Sequence, residues 1–207
     1  RKGEIRGLIG ENGSGKSTFC SIVAGALEMD SGELELHGEK YEVKSMVEAQ
    51  NHGVAMIVQE AATFPGLDVA SNIFVGRLEQ YTKCGFLDWN TIYGEADRIL
   101  EDIGVPEIKG RMNIEQLNFE DRKIVEIARA MVNKPEILII DETTTALATK
   151  GRKLIYALIE RMHKENKAVL FISHDLDELM ERCNTITVLR DGLIIDTLDR
   201  ENMSIER

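Results

Sequence analysis

The chain has 207 residues, 43% of them hydrophobic, and carries 25 Lys and Arg against 36 Asp and Glu for a net charge of −11. That length can bury one substantial core, so a single domain is expected over residues 1–207, and an acidic surface repels phosphate backbones, which excludes nucleic acid as a primary partner. No apolar run approaches the ~20 residues of a membrane-spanning helix, and the three cysteines, Cys20, Cys84 and Cys183, lack metal-ligand spacing and read as small hydrophobes of a reducing compartment.

The chain opens at Arg1-Lys2-Gly3-Glu4, without a Met and one step before an apolar run, and is expected to be a fragment of something longer. Ile5 to Ile9 predicts a strand, the Gly-rich stretch Gly10 to Gly15 a loop, and Lys16 to Leu27 a helix. After the turn signal Asp30-Ser31-Gly32, Leu34 and Leu36 alternate with Glu33, Glu35 and His37, as in a half-buried antiparallel strand of a small β subdomain. Val54 to Val58, Ile137 to Ile140 and Ala168 to Ile172 are apolar at consecutive positions, which suits parallel strands covered on both faces.

Between the first two of these lies a mostly helical insertion, approximately residues 60–133. Asp68 is placed to cap a helix over Val69 to Arg77, and Asp88 one that carries Ile92, Ala96, Ile99, Leu100 and Ile103 before Gly104 and Pro106 stop it. From Glu120, the residues Ile124, Ile127, Ala128, Met131 and Val132 share one helical face. A further helix is expected from about Lys150 to Lys164, and Asp191-Gly192 between Thr185–Leu189 and Leu193–Asp196 predicts a two-residue hairpin. The fold class is α/β: a P-loop core with a mainly parallel sheet, a small antiparallel β subdomain and a helical insertion.

The chemistry concentrates at the predicted strand ends. Gly10-Glu11-Asn12-Gly13-Ser14-Gly15-Lys16-Ser17-Thr18 fits G-x-x-x-x-G-K-[ST] between a strand and a helix. Glycines let backbone N–H groups converge on phosphate oxygens, the helix N-terminus adds positive potential, Lys16 reaches the β- and γ-phosphates, and Ser17 can ligate Mg²⁺. The apolar strand from Ile137 delivers Asp141 and Glu142 at its C-terminal end, where α/β ligand sites lie. Two acids after a strand more often cap a helix; beside a phosphate loop they fit a Walker B pair, with Asp141 on hydrated Mg²⁺ and Glu142 as general base toward the attacking water. Gln59 and His174 follow two other strands of the same set. Gln59 suits Mg²⁺ or water, and His174 the γ-phosphate, although a lone polar residue after a strand is usually an ordinary loop residue.

Phosphate loop, Gln59, helical insertion, acidic pair and His174 stand in the order and spacing of ABC ATPases, which nearly the whole chain resembles. Phe64-Pro65-Gly66-Leu67-Asp68-Val69-Ala70-Ser71-Asn72-Ile73-Phe74-Val75-Gly76-Arg77, following Val58-Gln59-Glu60, is similar to the sugar-import branch, as is Val125-Glu126-Ile127-Ala128-Arg129-Ala130. The resemblance is to the first of two ATPase domains fused in one polypeptide. It implies ATP and Mg²⁺ as cofactors and ATP hydrolysis driving uptake of a sugar. The implied partners are the second ATPase domain, membrane permease subunits docked near Glu60 to Arg77, and indirectly a periplasmic or extracellular solute-binding protein. The implied location is the cytoplasmic face of the membrane, and the solute is chosen by the other subunits. The rival readings are a soluble ATPase of this type acting on ribosomes or chromosomes, and a regulatory module that binds nucleotide without hydrolysis.

The resemblance breaks in four places. The family signature Leu-Ser-Gly-Gly-Gln aligns with Leu117-Asn118-Phe119-Glu120-Asp121, so bulk and negative charge are expected where the family offers glycines to the γ-phosphate of the opposing domain. Asn118 can still cap its helix, with Asp121 favourable in the first turn. Thr143 replaces the usual proline, and Ala148 an aspartate that couples the two sites. The leading strand and the adenine-stacking aromatic of the family have no counterpart here. Head-to-tail pairing would send the altered signature to one ATP site and the intact Walker motifs to the other.

Overall fold

The computed structural model describes residues 1–59 and 63–202. In chain order the regular elements are β1 (Ile5–Gly10), α1 (Lys16–Val23), β2 (Glu35–Leu36), β3 (Glu39–Lys40), α2 (Met46–Asn51), β4 (Val54–Ile57), α3 (Val69–Ile73), β5 (Thr82–Lys83), β6 (Phe86–Leu87), α4 (Trp89–Asp102), α5 (Phe119–Met131), β7 (Ile137–Asp141), α6 (Thr149–Lys164), β8 (Ala168–Ile172), α7 (Leu176–Arg182), β9 (Thr185–Arg190) and β10 (Leu193–Asp199). The chain divides into two compact units: residues 1–59, 135–146 and 159–207 form the first, and residues 60–134 and 147–158 the second. The second unit therefore draws on residues 147–158, beyond the contiguous stretch 60–133 expected of the helical insertion.

The first unit is built on a six-stranded sheet in the order β10-β9-β1-β8-β7-β4. Every neighbouring pair is parallel except β9 with β10. All four residues of β4 are buried, as are Leu138, Ile139 and Ile140 of β7. Burial on both faces is why these strands read as continuous apolar runs instead of alternating ones. Each of the Val, Leu, Ile and Met side chains among them contributes roughly 1.5–3 kcal/mol by leaving water. A second cluster joins Leu8 and Cys20 to Ala24, Tyr41, Ala49 and Met56, seating α1 and α2 on the sheet.

The β9–β10 hairpin turns through Asp191 at φ 50° and Gly192 at φ 77°. Two successive positive φ values are what a two-residue type I′ turn requires, and Asp-Gly supplies them cheaply. β2 and β3 pair antiparallel over only two residues each, a reduced form of the expected β subdomain.

Two helices stop short of their sequence expectation. α1 ends at Val23 instead of running to Leu27, because Gly25 adopts φ 71° and the amides of Ala26 and Leu27 fold back onto Ser21 O at 2.8 and 3.1 Å. α3 ends at Ile73 instead of Arg77, with the Asp68 carboxylate accepting Ser71 N–H at its start as predicted. Arg77 lies beyond it, 4% exposed, donating from Nη1 to Asn133 Oδ1 at 2.5 Å, and burial lowers the pKa of its guanidinium. It is an internal strut of the second unit, not a surface contact. Of the proposed docking segment, Glu60 lies outside the described residues, while Phe64 and Leu67 are exposed at 47% and 41%.

Candidate nucleotide site

Four adjacent parallel strands, β1, β8, β7 and β4, end at the same edge of the sheet, and each hands a polar group to the loop beyond it. Gly10 closes β1, Asp141 closes β7, Ser173 and His174 follow β8, and Gln59 follows β4 by two residues. Carbonyl ends of parallel strands point one way, so residues far apart in sequence arrive together. Among the described residues a cavity of about 590 Å³ is walled by Asn12, Gly13, Gly15, Lys16, Ser17, Thr18, Gln59, Glu142, Thr145 and His174.

The loop from Gly10 to Gly15 is shaped by what cannot fit. A Cβ on Gly10 would lie 2.2 Å from Leu189 O and 2.7 Å from Ser14 Oγ, so only glycine lets β1 finish against β9 there. Gly13 and Gly15 take φ 82° and 97°, which turns successive N–H groups inward before α1 begins. Among the described residues, Ser14 Oγ is buried with no hydrogen-bond partner. Lys16 is 5% exposed, and its Nζ donates to Gly10 O at 2.9 Å and Glu11 O at 3.0 Å. The loop thus wraps its own cation, which fixes a positive charge at the mouth of a helix N-terminus. Glu11, Gly10 and Ser14 shape the loop from outside the cavity wall.

Ser17 Oγ donates to Asp141 Oδ1 at 3.4 Å, joining the first turn of α1 to the end of β7. Burial holds Asp141 above the usual carboxylate range; the hydrogen bond from Ser17 opposes this, the charge of Glu142 adds to it, and Lys16 and His174 pull the other way. A buried carboxylate, a hydroxyl and the nearby Gln59 amide are hard oxygen donors, few in number, which suits a cation that keeps several of its waters, as Mg²⁺ does. Burial and the neighbouring Asp141 charge push Cys20 up to about 12, leaving it an inert thiol behind the site.

Glu142 is the most constrained residue of the group. Its N–H still donates to Ile172 O at 3.1 Å, extending the β7–β8 ladder, yet its φ is 44°. A non-glycine residue in the left-handed region costs about 1–2 kcal/mol, a cost that accumulates at functional sites. Thr145 Oγ1 donates to Glu142 O at 2.8 Å and steadies the turn. The consequence is a carboxylate aimed across the sheet edge: Glu142 Oε1 lies 2.7 Å from His174 Nε2, with the side chains 11% and 43% exposed. The expected pairing of His174 with a phosphate is thus accompanied by a direct contact with Glu142.

All the sequence-predicted residues of the phosphate loop, Asp141, Glu142, His174 and Gln59 therefore gather at one edge. Two contributors escaped sequence reading. Thr145 sits in a single 3-10 turn, Thr143–Ala146, with no motif of its own, and Glu178 lies in the short helix α7, where its spacing of four from His174 is the only trace. The signature segment lies in the second unit. Asn118 caps α5 as predicted, accepting Asp121 N–H at 2.8 Å, and Phe119 is 54% exposed. Glu120 Oε1 accepts Gly151 N–H at 2.7 Å, so its charge also serves the first turn of α6.

A family model described as ABC transporter matches residues 1–145. The ribose import ATP-binding protein RbsA of Caldanaerobacter subterraneus subsp. tengcongensis is 38% identical over 194 residues, covering 94% of this chain and 39% of that protein. The arabinose import ATP-binding protein AraG of Rhizobium meliloti is 36% identical over 192 residues, covering 93% and 37%. This chain thus spans about two fifths of the length of the curated relatives it matches. Among solved structures, cbiO1 from Clostridium perfringens, part of the ABC transporter complex cbiONQ, superposes with a TM-score of 0.74 at 25% identity, covering 97% of this chain and 79% of that one. The ATP-binding cassette MJ0796 bound to ADP and Pi shares the fold with a TM-score of 0.80 at 24% identity, over 97% and 87% of the two chains. A phosphate loop, an acidic pair and a histidine gathered at one edge of a parallel sheet agree with that match over most of the chain, which belongs to the ABC transporter family.

Proposed function

We propose that this chain binds ATP with Mg²⁺ and hydrolyses it as part of a sugar importer. The observation that carries the reading is the joint arrival on one cavity of Lys16, the Ser17–Asp141 pair and the Glu142–His174 pair. The loop amides of Gly10 to Thr18 bind the phosphates, and Lys16 supplies charge to the β- and γ-phosphoryl oxygens. Ser17, Asp141 and Gln59 would hold Mg²⁺, which when bound neutralises charge on the phosphates. Glu142 takes a proton from the attacking water, and His174, within hydrogen-bond reach, orients that carboxylate. Gln59, exposed on the same wall, serves as a ligand of the cation or of the water.

The curated relatives named for ribose and arabinose import support a sugar as the cargo. Import as the named role of these relatives supports membrane permease subunits as partners, and we add to them a second ATPase domain in one polypeptide and, through the permease, a solute-binding protein. We assign the work to the cytoplasmic face of the membrane; among the described residues no helix is long and apolar enough to cross it. The exposed Phe64 and Leu67 are the better candidates for permease contact, since Arg77 is internal. Residues 60–134 with 147–158 act as the helical subdomain of a single ATPase domain.

The test is ATP turnover by the full-length polypeptide assembled with its membrane subunits, with and without sugar and binding protein. Lys16→Ala should abolish MgATP binding measured by calorimetry. Unchanged affinity in that variant would remove the phosphate-loop assignment, and turnover indifferent to every sugar tried would remove the importer reading.

A further inference from the structure

Two of the loops that meet at the cavity carry hydroxyl side chains buried behind it. Ser173, fully buried, precedes His174, and Thr144, 3% exposed, is the second residue after Glu142. Both hydroxyls donate to one atom, Glu178 Oε2: Thr144 Oγ1 from 3.1 Å and Ser173 Oγ from close contact. Ser173 Oγ also accepts Asp175 N–H at 3.1 Å, and Asp175 Oδ1 accepts Glu178 N–H at 3.1 Å, so the His174 loop and the start of α7 form a closed ring.

The carboxylate at the centre of this ring is held by a helix with little freedom. Leu179 and Cys183 are fully buried beneath β1, where Gly7 permits the approach: a Cβ there would lie 3.1 Å from Cys183 Sγ and 3.3 Å from Leu179 Cδ2. Glu178 itself is 9% exposed. On the other side of the clamp, Glu142 occupies its left-handed φ of 44°, a conformation that persists only when surrounding ties over-determine it. Thr145 supplies one tie and Thr144 another.

We propose that Glu178 is a positioning residue for ATP hydrolysis, sharing one carboxylate oxygen between the loop after Glu142 and the loop of His174 and thereby setting the 2.7 Å contact between those two side chains. The inference rests on the ATPase reading above. Glu178 is not part of the cavity wall, and its effect passes through Thr144 and Ser173. Without it, two buried hydroxyls lose their acceptor and the loops separate independently, while the phosphate loop, carried by β1 and α1, keeps its own ties to Lys16. Misplacement of a catalytic pair by about an ångström lowers chemistry far more than binding.

The experiment measures kcat and MgATP affinity of the full-length polypeptide in its membrane complex, for wild type, Glu178→Ala, Glu178→Gln and the double variant Thr144→Val with Ser173→Ala. Glu178→Ala should lower kcat about tenfold or more with affinity within about twofold, the retained affinity also reporting that the protein is folded. Glutamine keeps an oxygen able to accept both hydroxyls and should recover most of the loss. The double variant should match Glu178→Ala, and combining all three changes should add little, because the groups act as one unit. Full activity in Glu178→Ala, parallel loss of kcat and affinity, or a glutamine variant no better than alanine would each overturn the proposal. A wild type that binds or hydrolyses no ATP would overturn the ATPase reading itself, and the proposal with it.

Discussion

Gly10→Ala puts the architecture of the phosphate loop to a direct test. An alanine Cβ at that position would stand 2.2 Å from Leu189 O, a backbone atom of β9 paired in register with Gly10, and 2.7 Å from Ser14 Oγ. A serine side chain can rotate, but a carbonyl inside a ladder cannot, so the end of β1 has to retreat from β9 by roughly an ångström. Overpacking of this kind costs about 1–3 kcal/mol, to which a lost ladder hydrogen bond adds about 0.5–1.5 kcal/mol. The retreat also moves Gly10 O, one of the two carbonyls that hold Lys16 Nζ. Those costs fall on stability, while the displaced carbonyl loosens the hold on Lys16, and loss of about 1.4 kcal/mol of phosphate binding there would weaken MgATP affinity about tenfold. Calorimetry with MgATP and denaturant unfolding are read together, with Gly104→Ala as control. Gly104 has φ 90° and open space around it, so that change should cost stability without touching affinity. Wild-type affinity and stability in Gly10→Ala would refute the close approach of β1 to β9 and the reasoning built on it.

Glu142→Gln removes the proposed base while leaving an oxygen for His174, and steady-state turnover should fall on the order of a hundredfold or more with MgATP still bound. Asp141 has its pKa raised by burial, so its ionised form costs stability in the folded protein. Stability attributable to it is greatest in acid and falls as pH rises through and above the ordinary value of about 3.9. Asp141→Asn should therefore raise the unfolding midpoint at neutral pH without metal and flatten the acid limb, while Mg²⁺-dependent gain in ATP affinity is lost; an unchanged Mg²⁺ effect in titrations would remove Asp141 from the cation site. Glu120→Ala removes the acceptor of Gly151 N–H and should lower stability by about 0.5–2 kcal/mol in denaturant unfolding, the scale of a lost helix cap. A large rise in turnover of the assembled transporter from Glu120→Ala would mean instead that this carboxylate had been repelling phosphate at a competent opposite site.

Features that rest on short-range geometry are legible in the order of the residues alone. The phosphate loop is legible because nine consecutive residues carry it, Asp191-Gly192 because a two-residue turn needs two positive φ values in a row, and the caps Asp68, Asp88 and Asn118 because a side chain reaches an amide three residues on. Continuous apolar runs likewise announced β4, β7 and β8 as strands buried on both faces. Helix ends were less legible: Gly25 and Arg77 both looked continuous with their helices, and only the reversal onto Ser21 and the burial of Arg77 against Asn133 stop α1 and α3 where they do. The contacts that give the site its chemistry lie beyond sequence reach. Ser17 meets Asp141 across 124 positions and His174 meets Glu142 across a strand and a helix, because parallel strand order alone sets which loops become neighbours. Glu120 and Glu178 make the same point: no motif marks the amide of Gly151 that the first accepts or the two buried hydroxyls that the second gathers, since a carboxylate removed from water must find donors wherever the fold supplies them.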